Sequence, residues 1–141
     1  MLFLYNSGAR ISEALGVRVE HLSSPTPRQV RLFWKGSKER LCPLWRETVD
    51  ALGALPAVRE GRSGDRVFCN RARAALTRDS AAYLLRKYTM MTARASPALR
   101  LRRVTPHVLR YICAVALLQA GVDITVICNY LDHASITTTS R

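Results

Sequence analysis

The chain has 141 residues, of which 48% are hydrophobic, so it is long enough for one domain and too apolar for wholesale disorder. No apolar run reaches the roughly 18 residues of a membrane span, and the apolar start at residues 1–5 lacks the basic leader and cleavage site of a signal peptide. Lysine and arginine total 22 against 10 acidic residues, for a net charge of +12. This excess predicts a polyanionic partner: nucleic acid first, with an anionic membrane or a ribosomal RNA surface as alternatives that charge alone leaves open.

Short helices and a hairpin are predicted in the first third of the chain. Residues 1–7 are typical of the end of a helix that breaks at Ser7-Gly8, and residues 10–17 predict a second short helix. A loop rich in serine and proline follows at residues 23–27. Apolar and polar side chains alternate over residues 28–44, which predicts a β-hairpin with Gly36-Ser37 at its turn and Pro43 at a strand end or an edge.

The middle of the chain predicts a helix at 46–55, a charged loop at 59–66, a short apolar piece at 67–69 and a long helix at 77–94. Helical spacing gives the long helix an apolar stripe of Leu84, Leu85, Tyr88 and Met91. A basic linker is predicted at 95–104.

The last third predicts a well-delimited helix over residues 106–120. Thr105 can cap this helix, Pro106 suits its first position and Gly121 suits its end. Its apolar stripe is Leu109, Ile112, Cys113, Ala116, Leu117 and Ala120. Asp123 can cap a helix at 124–131, and Ser135 can start one more. We expect the stripes of 77–94 and 106–120 to form the core and residues 135–141 to fray.

The cysteines are Cys42, Cys69, Cys113 and Cys128, and the short spacing of a zinc-binding pair does not occur among them. Three of them fall in apolar stretches. The pattern favours buried, reduced thiols in a cytoplasmic protein.

Five basic residues are notable for their positions. Arg10 opens a helix, Lys35 lies beside the hairpin turn, and His133 follows a helix. His107 and Arg110 are three residues apart, so one helix face carries both, and we expect this face to adjoin the core stripe but to stay separate from it. Taken singly, each is most simply a solvated charge or a structural histidine, and only the joint pattern indicates a site.

Four segments resemble the catalytic domain of phage-integrase-type tyrosine recombinases, in the order that the family has them. They are GARISEALG at 8–16, like the first arginine box; WKGSKER at 34–40, like the catalytic-lysine hairpin; TPHVLR at 105–110, like the His-x-x-Arg box; and LDHASITTTSR at 131–141, like the segment leading to the nucleophile. The resemblance implies a mainly α-helical fold with a small antiparallel β-hairpin, and residues 1–141 as a single, partial catalytic domain.

The resemblance also implies a role for each basic residue around one scissile phosphate. Arg10 and Arg110 would bind its non-bridging oxygens, because a guanidinium donates two parallel hydrogen bonds and keeps its charge. Lys35 would protonate the departing 5′ oxygen, and His107 and His133 would assist proton transfer or hydrogen-bond the phosphate. No metal and no small-molecule cofactor is implied.

Double-stranded DNA is the implied partner, with self-association on DNA in a tetrameric synapse of the full-length parent and no membrane association. The further residues predicted to bind DNA are Lys38, Arg40, Arg78, Arg102 and Arg103. A cytoplasmic location is expected.

The resemblance places the family's nucleophilic tyrosine nine residues beyond His133, at the position after Arg141. Tyr130 and Tyr111 are poor substitutes, and Asp132 stands where the family usually has glycine. We therefore expect the nucleophile segment, the N-terminal DNA-binding domain and the first catalytic helix to be missing from these 141 residues. Apolar surface exposed by the missing helix would favour self-association.

Three functions remain open from the sequence. The first is the catalytic domain of a DNA integrase or recombinase, and the second is a catalytically inactive DNA-binding remnant or regulator. The third is a small basic protein that docks on RNA or on another protein. Structured RNA would outcompete duplex DNA only for the third.

Overall fold

A computed structural model describes residues 1–23, 28–34 and 38–131. Its helices and strands are, in chain order, α1 Leu2–Ser7, α2 Ile11–Gly16, β1 Gln29–Trp34, β2 Lys38–Pro43, α3 Arg46–Gly53, α4 Pro56–Glu60, α5 Arg78–Thr92, α6 Pro106–Gln119 and α7 Ile124–Leu131. Short 3₁₀ helices occupy Val19–His21 and Pro97–Leu101. The predicted mainly helical chain with one small antiparallel sheet is confirmed.

Several predictions concern residues outside those described. They are most of the loop at 23–27, the Gly36-Ser37 turn, Lys35, Asp132, His133 and the helix start at Ser135.

The hairpin is antiparallel, with Val30 opposite Cys42 and Trp34 opposite Lys38. Its inward face is formed by Val30, Leu32 and Cys42, which are almost completely buried. Burying a side chain of this size contributes about 1.5–3 kcal/mol, so the alternation of the sequence fixes which face of the sheet meets the core. Pro43 ends β2, as predicted.

The main core is built only in part from the two predicted stripes, which contribute Leu85 and Leu109 to it. Tyr88 and Met91 on α5 are half exposed, and the buried residues of that helix are Ala81, Leu85 and Thr89. The main cluster instead joins α1, α2 and the hairpin, through residues that include Phe3, Leu4, Ala14, Val17, Val30 and Leu32. Helical spacing identified an amphipathic helix, but it could not show that the first two short helices supply more of the core.

Two local predictions in the middle of the chain are also incomplete. Residues 56–60 form α4, with Pro56 at its first turn, where only a loop from residue 59 was predicted. The basic linker contains the 3₁₀ helix Pro97–Leu101.

The second cluster joins α6 and α7 through Cys113, Ala114, Ile127 and Leu131. The predicted caps of α6 are confirmed: the Thr105 side chain accepts from the Val108 N–H at 3.2 Å, and Gly121 adopts a φ of 83°. Ile112 is 42% exposed, so the prediction that it belongs to the buried stripe of α6 was wrong.

The four thiols are free, and Cys42, Cys113 and Cys128 are buried as predicted. Burial raises the pKa of Cys113 to about 11, which keeps it a neutral thiol at physiological pH. Within the described residues, the helices are too short or too polar to cross a membrane.

Candidate nucleic-acid interface

The site begins at the turn between α1 and α2. Gly8 ends α1 with a φ of 57°, a left-handed conformation that favours glycine. A Cβ built at Gly8 would lie 2.3 Å from Leu131 Cδ2 and 3.3 Å from Cys113 Sγ, so the turn packs directly on α6 and α7. This close packing places Arg10, the residue before α2, near Arg110 on α6.

Arg10 contacts Glu13 and Trp34. Its backbone N–H donates to Glu13 Oε2 at 2.7 Å, and its Nη1 donates to Glu13 Oε1 at 3.2 Å. Its guanidinium carbon also lies 4.8 Å from the centre of the Trp34 ring on β1. The Arg10 side chain is 31% exposed, so an anion can approach it from solvent.

Glu13 is a buried carboxylate that the sequence analysis did not single out. Its side chain is 2% exposed, and besides Arg10 it lies 3.6 Å from Arg40 Nη2. A carboxylate is stable in the interior only when it is paired, and two arginines supply that pairing. The available signal was its position three residues after Arg10, where a glutamate at the start of a helix bonds back to the backbone.

Arg40, predicted to bind DNA, is turned into the protein. Its Nη1 donates to Tyr130 O at 2.7 Å and to Ser7 O at 3.3 Å, and its guanidinium carbon lies 5.5 Å from the centre of the Tyr130 ring. These contacts join β2 to the carboxyl ends of α1 and α7, where backbone carbonyls lack helical partners. The geometry therefore gives Arg40 a structural role, and its contact with DNA stays a prediction.

Arg110 is also buried, at 4% exposure, whereas its helix face was expected to stay separate from the core. It donates to Gly8 O through Nη1 and to Leu131 O through Nη2. Burial and the neighbouring Arg10 lower the pKa of Arg110 to about 10, so it remains charged at neutral pH. Arg40 and Arg110 thus bond to consecutive carbonyls at the same two helix ends.

The predicted site residues are only partly brought together within the described chain. Arg10 and Arg110 are electrostatic neighbours, and Glu13 and Arg40 complete this group, which we call the arginine cluster. His107, which precedes Arg110 by about one helical turn, is exposed. Lys35 and His133 lie outside the described residues, so their predicted roles stay predictions.

An open cleft of about 270 Å³ lies beside the hairpin, and two members of the arginine cluster, Glu13 and Arg40, line it. Its lining is mostly charged or polar and includes Glu13, Trp34, Lys38, Glu39, Arg40 and Asn129. The cluster itself has three guanidinium groups, those of Arg10, Arg40 and Arg110, and one carboxylate, that of Glu13, which leaves a net positive charge. The lining itself carries two cations, Lys38 and Arg40, and two carboxylates, Glu13 and Glu39, so the excess of positive charge comes from the neighbouring guanidinium groups of Arg10 and Arg110.

A second basic cavity, of about 370 Å³, lies between α5 and the start of α6. Arg102 and Arg103, both predicted to bind DNA, line it together with Arg86, which the sequence analysis did not select. Arg78 is exposed at the first turn of α5. In the described part of the chain, no group of three or more His, Cys, Asp or Glu side chains is arranged to hold a metal ion.

Tyr130 lies close to the arginine cluster, but its hydroxyl faces the interior. It donates to Asn6 O at 3.2 Å and lies 2.9 Å from Cys42 Sγ. Burial is the first cause that raises the pKa of Tyr130 above its ordinary value, and the Cys42 thiol is the second. A nucleophile needs the opposite environment, in which the pKa is lowered or a base is adjacent.

We therefore predict that Tyr130 does not form a covalent link to DNA. Tyr130→Phe should leave the amount of protein trapped on a nicked suicide duplex unchanged, as judged on a denaturing gel. It should cost about 1 kcal/mol of stability through the lost hydroxyl hydrogen bond. Adduct formation that Tyr130→Phe abolishes would show that this hydroxyl is the nucleophile.

Comparison with known proteins identifies the family. Residues 1–141 match the Phage integrase family over the whole chain, and the chain belongs to this family. Tyrosine recombinase XerD of Mycobacterium tuberculosis is 38% identical to it, in an alignment that covers 96% of this chain and 43% of the relative.

Solved structures give the same result for the fold. The crystal structure of XerA recombinase matches with a TM-score of 0.83 and 25% identity, covering 99% of this chain and 49% of the other. The pre-cleavage complex of XerH site-specific recombinase bound to its difH substrate matches with a TM-score of 0.77 and 27% identity, covering 97% of this chain and 39% of the other. The fold is that of a tyrosine recombinase catalytic domain, and the chain spans less than half the length of these relatives.

Proposed function

We propose that this chain binds duplex DNA and holds one backbone phosphodiester in the cleft beside the arginine cluster, for strand cleavage and rejoining through a 3′-phosphotyrosyl link. The observation that carries the proposal is the arrangement of Arg10. Its guanidinium is partly exposed and contacts Glu13 and Trp34, both of which line the cleft of about 270 Å³. Donors fixed before the phosphate gathers negative charge lower the barrier to its substitution.

The buried Arg110 stabilises this site from the protein interior. It holds Gly8 O and Leu131 O, so it fixes the turn that presents Arg10 and the end of the helix that precedes His133. Its charge adds to the positive potential of the cleft, because few water molecules screen a group that is 4% exposed. A guanidinium has five N–H donors, so these two carbonyl bonds do not by themselves prevent the direct phosphate contact that the family implies for Arg110.

The remaining parts of the proposal follow the family. Lys35 would act as the general acid at the leaving 5′ oxygen, and His107 and His133 would transfer or hold protons. The basic cavity with Arg86, Arg102 and Arg103 would contact the DNA backbone away from the scissile phosphate. The tyrosine is proposed to come from the segment that follows His133 in the family, and assembly on DNA would involve several copies.

Arg10→Ala is predicted to weaken binding to a short mixed-sequence duplex by roughly 10- to 150-fold, because a charge-assisted bond to phosphate contributes about 1.5–3 kcal/mol. The slope of log affinity against log salt should fall by about 1. Both are measured by fluorescence anisotropy over a series of salt concentrations.

Arg59→Ala is the matched control, since Arg59 is an exposed arginine on α4 and its loss changes the net charge equally. Equal weakening by the two variants would mean that Arg10 contributes only net charge, and the proposed phosphate site would be wrong. Stronger competition by a structured RNA than by unlabelled duplex would favour an RNA-docking protein instead.

A further inference from the structure

Trp34 is the last residue of β1, and it connects the hairpin to the arginine cluster. The guanidinium carbon of Arg10 lies 4.8 Å from the centre of its ring, within the range of a cation–π contact. The ammonium of Lys38, its cross-strand partner, lies 5.9 Å from the same centre. One indole ring therefore contacts two cations from different parts of the fold, the residue that caps the start of α2 and a residue of β2.

The ring and Glu13 restrain Arg10 in different ways. Glu13 belongs to the same short helix and attracts the guanidinium towards the buried carboxylate. Trp34 belongs to the hairpin and offers a flat, apolar face, on which a guanidinium stacks while its edge keeps N–H donors directed outward. Without the ring, we expect Arg10 to collapse onto Glu13 and to lose the orientation that serves an anion in the cleft.

We propose that Trp34 is a positioning residue that orients the Arg10 guanidinium for phosphate and thereby couples the conformation of the hairpin to phosphate binding. The inference rests on the proposed function of Arg10. Trp34 directly precedes Lys35, so the strand end that carries the proposed general acid also orients the proposed phosphate ligand. An oxyanion in the cleft would lie beside Lys38, which lines it, and would reduce the repulsion between Lys38 and Arg10 across one ring.

The coupling makes Trp34 a reporter of anion binding. The chain has two tryptophans, and Trp45 packs against Tyr5 with ring centres 5.3 Å apart. In a Trp45→Phe variant, the fluorescence should change saturably with inorganic phosphate at constant ionic strength. Arg10→Ala in the same background should abolish this change. A response that persists in Arg10→Ala would show that the ring reports something other than Arg10, and would overturn the inference.

Binding affinity provides the second test. Trp34→Ala should weaken binding of the short duplex by about 2- to 5-fold, the loss expected for one cation–π contact, and Trp34→Phe should restore most of it. Phe33→Ala is the matched control, because Phe33 is the neighbouring aromatic on β1 and contacts His21 instead, with ring centres 4.8 Å apart. It should leave the affinity unchanged.

A double-mutant cycle separates positioning from general damage to the hairpin. If Trp34 acts through Arg10, Trp34→Ala should have no further effect on affinity in the Arg10→Ala background. An equal loss in both backgrounds would overturn the inference, and so would full affinity in Trp34→Ala alone. If Arg10→Ala leaves the affinity unchanged, the proposed phosphate site is wrong. If Arg10→Ala weakens binding but Trp34→Ala leaves the affinity unchanged, the phosphate site stands and the positioning role of Trp34 is wrong.

Discussion

Replacing Arg40 with methionine is expected to lower the free energy of unfolding by about 2–4 kcal/mol, because it removes the partners of several buried groups at once. Methionine retains much of the length of the side chain but donates no hydrogen bond. The carbonyls of Ser7 and Tyr130 would lose donors, and Glu13 would keep only one of its two arginine partners. Urea denaturation followed by circular dichroism measures the change.

Arg31→Met is the matched control on the same hairpin. Arg31 lies 3.8 Å from Glu39, and both side chains are about half exposed, so its loss should change stability by less than about 0.5 kcal/mol. Arg40→Lys should fall between the two, because lysine keeps the charge but lacks the planar pair of donors. Equal stability of Arg40→Met and Arg31→Met would show that the contacts of Arg40 contribute nothing net.

The local features of the fold were predictable because short-range rules determine them. Thr105 caps α6 and Gly121 ends it through contacts within a few residues, and the alternation of residues 29–34 fixes the face of β1. The inward contacts of Arg40 and the burial of Arg110 were not predictable in this way. Arg40 bonds to Tyr130, 90 residues away, and Arg110 bonds to Gly8, 102 residues away. An alternating sequence pattern shows that an arginine lies in a strand, but it does not show which distant groups the side chain contacts.

The candidate site, too, was predictable only in part. The resemblance selected Arg10 and Arg110, which the structure places in one cluster, but it did not select Glu13 or Trp34, whose importance comes from the side chains they contact. The apolar stripe predicted for α5 was right at Leu85 but wrong at Tyr88 and Met91, for a related reason. Tyr88 and Met91 satisfy helical spacing, yet the elements that pack on α5 cover mainly Ala81, Leu85 and Thr89. Amphipathic spacing predicts a buried face only where a neighbour covers it.

Gly8→Ala is expected to destabilise the protein by about 2–5 kcal/mol, the sum of a left-handed backbone penalty and an overpacked contact. The added Cβ would lie 2.3 Å from Leu131 Cδ2, so the buried Leu131 side chain, α7 or the α1–α2 turn must shift. A shift of α7 or of the turn would disturb Arg110, which bonds to the carbonyls of both Gly8 and Leu131. DNA affinity should therefore fall even under conditions in which the variant remains folded.

Two other glycines separate the contributions to this effect. Gly121 has a φ of 83° and nothing within 4 Å of an added Cβ, so Gly121→Ala should show the backbone penalty alone, about 1–2 kcal/mol. Gly53 has an ordinary φ and open space, and Gly53→Ala should stabilise α3 by about 0.5–1 kcal/mol. If urea denaturation gives equal losses for Gly8→Ala and Gly121→Ala, close packing at the α1–α2 turn does not limit stability. Since that same packing brings Arg10 beside Arg110, unchanged DNA affinity in Gly8→Ala would also mean that the turn does not set the geometry of the arginine cluster.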